Sequence, residues 1–231
     1  MVLSPVRQLL VSLQLADSAF PSGFYTMSHS LEGFSQAKLV SRRDIQDVLS
    51  DLLVHSVGPG DATALALAHR AAERGNWALV QDVDKRLFAS KLNAEMRKAS
   101  VRSGHQVTQI ALEAIGGDQL ERYSQMITAR TTPGCQPIAS AVANAAAGVA
   151  TEHAVASDLF AFSTSFVGAA LRLRLTDHRH AQVVLNAVGP VIERAAADAV
   201  ARDIDDLGGC VPLSDIMSAQ HERAEARLFA T

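Results

Sequence analysis

The chain has 231 residues, 48% hydrophobic and 5% aromatic, with 21 Lys and Arg against 24 Asp and Glu for a formal charge of −3. A chain of this length buries a sizeable core without covalent staples and suits one large domain. The near-neutral charge excludes nucleic-acid binding by bulk phosphate neutralisation, and the apolar-rich composition excludes disorder. Abundant alanine with few aromatics favours packed helices over a β-sandwich. The sequence therefore reads as a single all-α domain, a helical bundle of about ten helices spanning 1–231.

Helical signals recur along the chain. Ser4 before Pro5 is an N-cap followed by proline at the first helical position, and Val6, Leu9, Leu10, Leu13 and Leu15 form an apolar face ending near Asp17. Pro21 and Gly23 mark a turn over Ser18 to Phe24, with a second helix expected over Thr26–Leu39. Ser41 with Asp44 opens the next helix, which carries Ile45, Val48, Leu49, Leu52 and Leu53 and is expected to close at Gly58-Pro59-Gly60. Asp61 then caps a short helix stopped by Gly75. Asn76 caps the helix of Trp77, Val80 and Leu87. Ser90–Ser103 reads as a basic helix ending at Gly104, and His105–Ile115 as its successor. Asp118 caps Leu120 to Arg130, and the loop Thr131–Pro137 is the clearest break. Beyond it come an alanine-rich helix, a long one over Ser157–Leu175, one over Asp177–Val188 and one over Pro190–Asp206. Gly208-Gly209 with Pro212 makes a turn, and Ser214 or Asp215 opens a last helix running to the C-terminus.

Two cysteines, Cys135 and Cys210, are too few for a disulfide framework and fit a reducing cytoplasm. The start MVLSPVRQLL lacks the basic region, apolar run and cleavage site of a secretory leader. The most membrane-like stretch, Ile138–Ala150, is too short to span a bilayer, and Glu152 and His153 interrupt it, so a buried helix is expected.

Catalytic and metal signatures are missing: no G-x-x-x-x-G-K-[ST] loop, C-x-x-C, H-E-x-x-H, EF-hand loop or G-x-S-x-G elbow occurs. No catalytic or metal-ligating residue is assigned. His178 and His180 flank Arg179, but residues two apart on a helix point to different sides. His55 and His69 lie on separate expected helices, and His221 sits beside Glu222. Lys91, Lys98 and Arg102, at i, i+7 and i+11, fall on one helix face with Arg97 beside it, which is either a solvated face or a surface for an acidic partner. Leu228 and Phe229 place large apolar side chains at a chain end, so they either fold back or dock on a partner.

The run Leu13-Gln14-Leu15-Ala16-Asp17-Ser18-Ala19-Phe20-Pro21-Ser22-Gly23, followed by Tyr25-Thr26-Met27-Ser28-His29-Ser30-Leu31-Glu32, resembles the N-terminal signature of the urease accessory protein UreF family. Arg97 to Gly104 resembles that family's R-x-x-S-x-x-x-G helix, and Arg172-Leu173 with Gln182 its R-L…Q segment. His221-Glu222 followed by Arg227-Leu228-Phe229 resembles its H-E-x-x-x-x-R-L-F ending. Cys135 stands where the family commonly has a histidine. The resemblance implies an all-α cytoplasmic homodimer that bridges UreD (also called UreH) and the GTPase UreG for nickel insertion into apo-urease. It implies no stably bound cofactor, nickel and GTP being handled by the assembled complex, and no nucleic-acid or membrane partner. It makes 214–231 a C-terminal partner-docking helix.

Within that frame Glu32, Arg97, Arg102, His221, Glu222, Arg227, Leu228 and Phe229 are the expected partner-binding residues. Asp17, Ser18, Pro21 and Gly23 are expected to set the turn after the first helix. Arg172, in an apolar helix, is expected to meet a buried carboxylate or helix-end carbonyls. Two other readings are a direct nickel chaperone using His178, His180 and other histidines, and an all-α enzyme with Glu32 and a histidine as acid–base pair.

Overall fold

The computed structural model describes residues 3–224 and 226–229. Among them there is no strand; helices carry the fold. In chain order they are α1 (Pro5–Ala16), α2 (Leu31–Gln36), α3 (Ile45–Leu52), α4 (Thr63–Glu73), α5 (Trp77–Ser90), α6 (Ala94–Ala114), α7 (Asp118–Thr128), α8 (Gln136–Ala146), α9 (Thr151–Arg172), α10 (His178–Ala187), α11 (Gly189–Ala201) and α12 (Pro212–His221).

Local chemistry starts several of these helices. The Ser4 side chain accepts from the Arg7 amide, Asn76 from Leu79 at 3.2 Å, Asn93 from Met96 at 2.7 Å and Asp177 from His180 at 2.9 Å. Each removes one unpaired N–H from a helix start.

α8 is the centre of the molecule. Its residues from Gln136 to Ala145 are buried, and it packs against α4, α6, α7 and α9. Its small side chains let neighbouring backbones close in. Gly104 makes the closest approach: a Cβ there would lie 2.1 Å from the Gly134 carbonyl oxygen. Gly104 therefore does not end a helix. It is the contact point of one continuous helix, α6, and the expected break between Ser103 and His105 is absent.

The expected stop at Gly58-Pro59-Gly60 is also absent. Residues Leu53–Ala62 form a π-helical stretch, with Pro59 inside it, that joins α3 to α4 without interruption. The wider turn brings the Leu53 carbonyl to within 2.4 Å of where a Gly58 Cβ would be, and the Thr63 hydroxyl donates to the Gly58 carbonyl at 3.0 Å. Glycine at 58 makes the approach possible, and the missing amide of Pro59 costs less where i→i+4 bonding is already interrupted.

Three more expectations change. The second helix shortens to Leu31–Gln36, because Gly23 (φ 81°), His29 (φ 52°) and Ser30 (φ 69°) turn the chain left-handed before it. The helix expected from Pro190 to Asp206 stops at Ala201, and a separate turn, Ile204–Asp206, follows. The last helix ends at His221, not at the C-terminus; Ala226–Phe229 continue as non-helical chain, and residues 225, 230 and 231 of the expected 214–231 helix lie outside the described residues.

The most apolar long helix is α9, not the Ile138–Ala150 stretch. Among the described residues it alone is long and apolar enough to cross a membrane, and just over half of its apolar window is buried inside the molecule. α1 packs on α9 and α8 through Val11 and Ser12, with Leu3 and Leu15 partly buried. Val6, Leu9, Leu10 and Leu13, expected as its buried face, are each at least half exposed. The helix has apolar residues on two sides, and only one side can meet α9.

Candidate functional site

The residues that the sequence singles out at its two ends meet in space. Glu32, on α2, is buried, and its carboxylate is filled by the C-terminal tail. Oε2 accepts from His221 Nε2 at 2.8 Å and from the Phe229 amide at 3.0 Å; Oε1 accepts from the Leu228 amide at 2.8 Å. Gln36 Nε2, one turn along α2, donates to the Ala226 carbonyl at 3.2 Å. A carboxylate accepting several N–H donors forms strong charge-assisted bonds, so this one residue anchors the end of a chain 189–197 positions away.

Sequence position alone leaves Glu32 and His221 as exposed helix residues. The structure buries both, His221 at 1% exposure. His221 Nδ1 faces Glu95 Oε2 at 3.6 Å, and neither atom has a hydrogen-bond partner. Arg227 completes the group, donating to Glu95 Oε1 at 2.6 Å. Glu32 and His221 therefore hold the tail in place and present no side chain to a partner. They form a close carboxylate–imidazole pair, but protein donors occupy the carboxylate and the cavity described below does not reach it.

Phe229 is buried while Leu228 is 65% exposed. The Phe229 ring lies under the Arg172 guanidinium at 4.3 Å, and the Tyr25 ring lies against the same guanidinium at 4.1 Å. Arg172 also donates to the carbonyls of Gly168 (3.2 Å) and Tyr25. It meets carbonyls and two aromatic faces rather than a carboxylate, a geometry suited to a planar cation. Tyr25 is a contact that the sequence reading missed.

The turn after α1 is braced locally. Asp17 Oδ1 accepts from the Ala19 amide at 2.6 Å, and a Cβ on Gly23 would fall 2.3 Å from Ser103 Oγ on α6. Pro21 and Ser18 are exposed.

The basic stripe breaks up. Lys91 lies past the end of α5, outside α6; its ammonium is nearly buried and pairs with Asp61 at 2.7 Å. Arg97 donates back to the Lys91 carbonyl. Lys98 and Arg102 remain exposed on α6 and line a shallow groove with Glu95, Glu222, Arg227 and Phe229.

The histidines do not assemble. His178 and His180 both lie in the first turn of α10, and His180 Nδ1 is 2.7 Å from the Thr176 hydroxyl. His69 is buried, bound to the Val149 carbonyl at 2.9 Å and the Thr151 hydroxyl at 3.0 Å, and burial lowers its pKa. Among the described residues no group of three or more His, Cys, Asp or Glu has metal-holding geometry.

Two buried carboxylates escaped the sequence reading because their partners are distant. Asp84 accepts from Tyr123 (3.1 Å), Thr132 (2.5 Å) and the amides of Gly134 (2.8 Å) and Cys135 (3.0 Å), which fixes the Thr131–Pro137 loop against α5. Burial and the nearby Asp84 push the Cys135 thiol well up, leaving it an unreactive packing group. Asp158, on α9, accepts from Gln136 Nε2 at 3.0 Å, and burial raises its pKa to about 6.

α12 turns Met217, Ser218 and His221 inward and leaves Leu213 and Ile216 about half exposed. Leu228, further along the C-terminal segment, is exposed as well.

Comparison with known proteins fits this picture. A family model described as UreF matches residues 39–189. The chain is 29% identical to "Urease accessory protein UreF" of Trichodesmium erythraeum over 100% of both chains. It is 31% identical to "Urease accessory protein UreF 2" of Brucella canis, over 96% of this chain and 91% of the relative. With "Urease accessory protein UreF" of Photorhabdus laumondii it shares 27% identity, over 96% of this chain and 98% of that one. By name these relatives are urease accessory proteins.

Proposed function

The chain belongs to the UreF family of urease accessory proteins, and from that premise we propose that it is a non-catalytic adaptor in urease maturation. In this reading it works as a cytoplasmic homodimer, binds UreD/UreH on one surface and the GTPase UreG on another, and holds them together while nickel is inserted into apo-urease. Nickel is cargo of the assembly, and GTP is hydrolysed by the partner that carries a nucleotide loop.

One observation carries the reading. The C-terminal segment is held to the body of the molecule by Glu32, while Leu213 and Ile216 on α12 and Leu228 beyond it stay exposed. Ordered apolar side chains on an anchored segment suit docking, because the ordering cost of the segment is met before the partner arrives. The exposed Lys98 and Arg102 beside the tail add a cationic rim that favours an acidic partner surface.

The test replaces the outer residues and spares the anchor. A Leu213→Glu/Ile216→Glu double variant should keep its helical circular dichroism and lose UreD/UreH in co-purification. Binding at wild-type strength would refute docking through this face.

A further inference from the structure

A cavity of about 120 Å³ lies between the π-helical stretch, α8, α9, α12 and the Phe24–Ser30 segment. Volumes of about 10–15 Å³ on this measure hold one water, so the space admits a small molecule of a few heavy atoms. Its walls are mixed: they carry the aromatic rings of Phe24 and Phe162 together with three carboxylates, Asp61, Asp158 and Asp215.

The charges around it do not balance. Lys91 and Asp61 neutralise each other at 2.7 Å. His29 faces the same space but is held neutral: its Nε2 pairs with Ser165 Oγ at 2.8 Å, its ring lies 4.4 Å from that of Phe162, and burial lowers its pKa to about 3. Asp158 takes hydrogen bonds from the uncharged Gln136 and Ser140, and the charge that acts on it is the like-signed Asp61. On α12, Asp215 Oδ2 is buried without a hydrogen-bond partner. Ser214, 4% exposed, also lines the cavity, and its hydroxyl has no partner. The site thus has two carboxylates without a cation, an idle buried hydroxyl and two aromatic rings.

The kind of cation follows from the geometry. Among the described residues no three His, Cys, Asp or Glu converge as metal ligands. A cation suited to this wall brings its own N–H donors for separated oxygens and tolerates aromatic faces. We propose that the cavity binds a small ammonium-type cation, ammonium or a short primary alkylammonium, between Asp158, Asp215 and Ser214. Such a ligand competes with protons for these carboxylates, so its affinity rises with pH as Asp158 ionises near pH 6.

The experiment titrates the full chain with methylammonium chloride, with ammonium chloride, and with sodium chloride at matched ionic strength, by calorimetry and thermal melting. At five times its dissociation constant, methylammonium should raise the melting temperature by about 2–4 °C, and sodium should not. Affinity should fall about tenfold in Asp158→Asn and Asp215→Asn, and about tenfold on going from pH 7.5 to pH 5. Ser214→Ala removes only a hydroxyl and keeps the test open if either Asn variant unfolds; it should weaken binding several-fold. Tighter binding of ammonium identifies the free ion as the ligand, and tighter binding of methylammonium identifies an amine-bearing metabolite. Equal responses to sodium and methylammonium, unchanged affinity in all folded variants, or Ni²⁺ binding in the cavity with no amine response would overturn the proposal.

Discussion

At the scale of single residues, buried charge decides most of what is distinctive here. Glu32, Asp84 and Asp158 are three buried or half-buried carboxylates with three different solutions: a chain end, a loop and a pair of neutral side chains. The third has a consequence for pH. His29 is about 3 folded and about 6.5 unfolded, so between those values the unfolded chain holds the extra proton and stability falls as pH drops. Asp158 is about 6 folded and 3.8 unfolded, so the folded chain holds the extra proton and stability falls as pH rises through that window. From about pH 4 to pH 6 the two effects cancel, and the lowered His69 adds a further loss of stability on the acid side. Asp158→Asn should therefore steepen the decline of unfolding free energy between pH 6 and pH 4 by about 1.4 kcal/mol per pH unit. Urea titrations at three pH values check this, and an unchanged slope would contradict it. None of this was legible in the sequence: Glu32 and His221 are 189 positions apart, and Lys91 seemed part of a surface stripe until the end of α5 turned it onto Asp61.

At the scale of elements, what could be read was what is local. Ser4 and Asn76 cap helices from their own side chains, and the starts of α1 and α5 were visible for that reason. Gly58-Pro59-Gly60 and Gly104 misled because glycine and proline stop helices only when nothing else needs them. Here a π-helical stretch accommodates the first group, and backbone contact with the loop before α8 requires the second. Gly104→Ala forces a methyl onto the Gly134 carbonyl and should cost about 3 kcal/mol. Gly168→Ala, inside α9 with nothing within 4 Å of the new methyl, should instead stabilise by about 0.5–1 kcal/mol. Denaturant midpoints of the two variants should move in opposite directions. A stable Gly104→Ala would mean that α6 and the Gly134–Gln136 backbone are not in contact.

At the scale of the whole molecule, the all-α single-chain architecture was legible from alanine content and helical periodicity, but which apolar faces are buried was not. Periodicity marks an apolar face without saying what covers it. On α1 the core took the side of Val11 and left Val6, Leu9, Leu10 and Leu13 outside; on α12 it took Met217 and left Leu213 and Ile216. Two ordered helices thus show apolar residues to solvent. In the adaptor role proposed above, these two exposed faces are the ones that partner chains would cover. The most direct measurement is light scattering after size-exclusion chromatography of this protein mixed with UreD/UreH and UreG, with and without GTP. A complex containing all three should form with GTP and be lost with Leu213→Glu/Ile216→Glu; association of UreD/UreH with UreG that is indifferent to this protein would contradict the adaptor role.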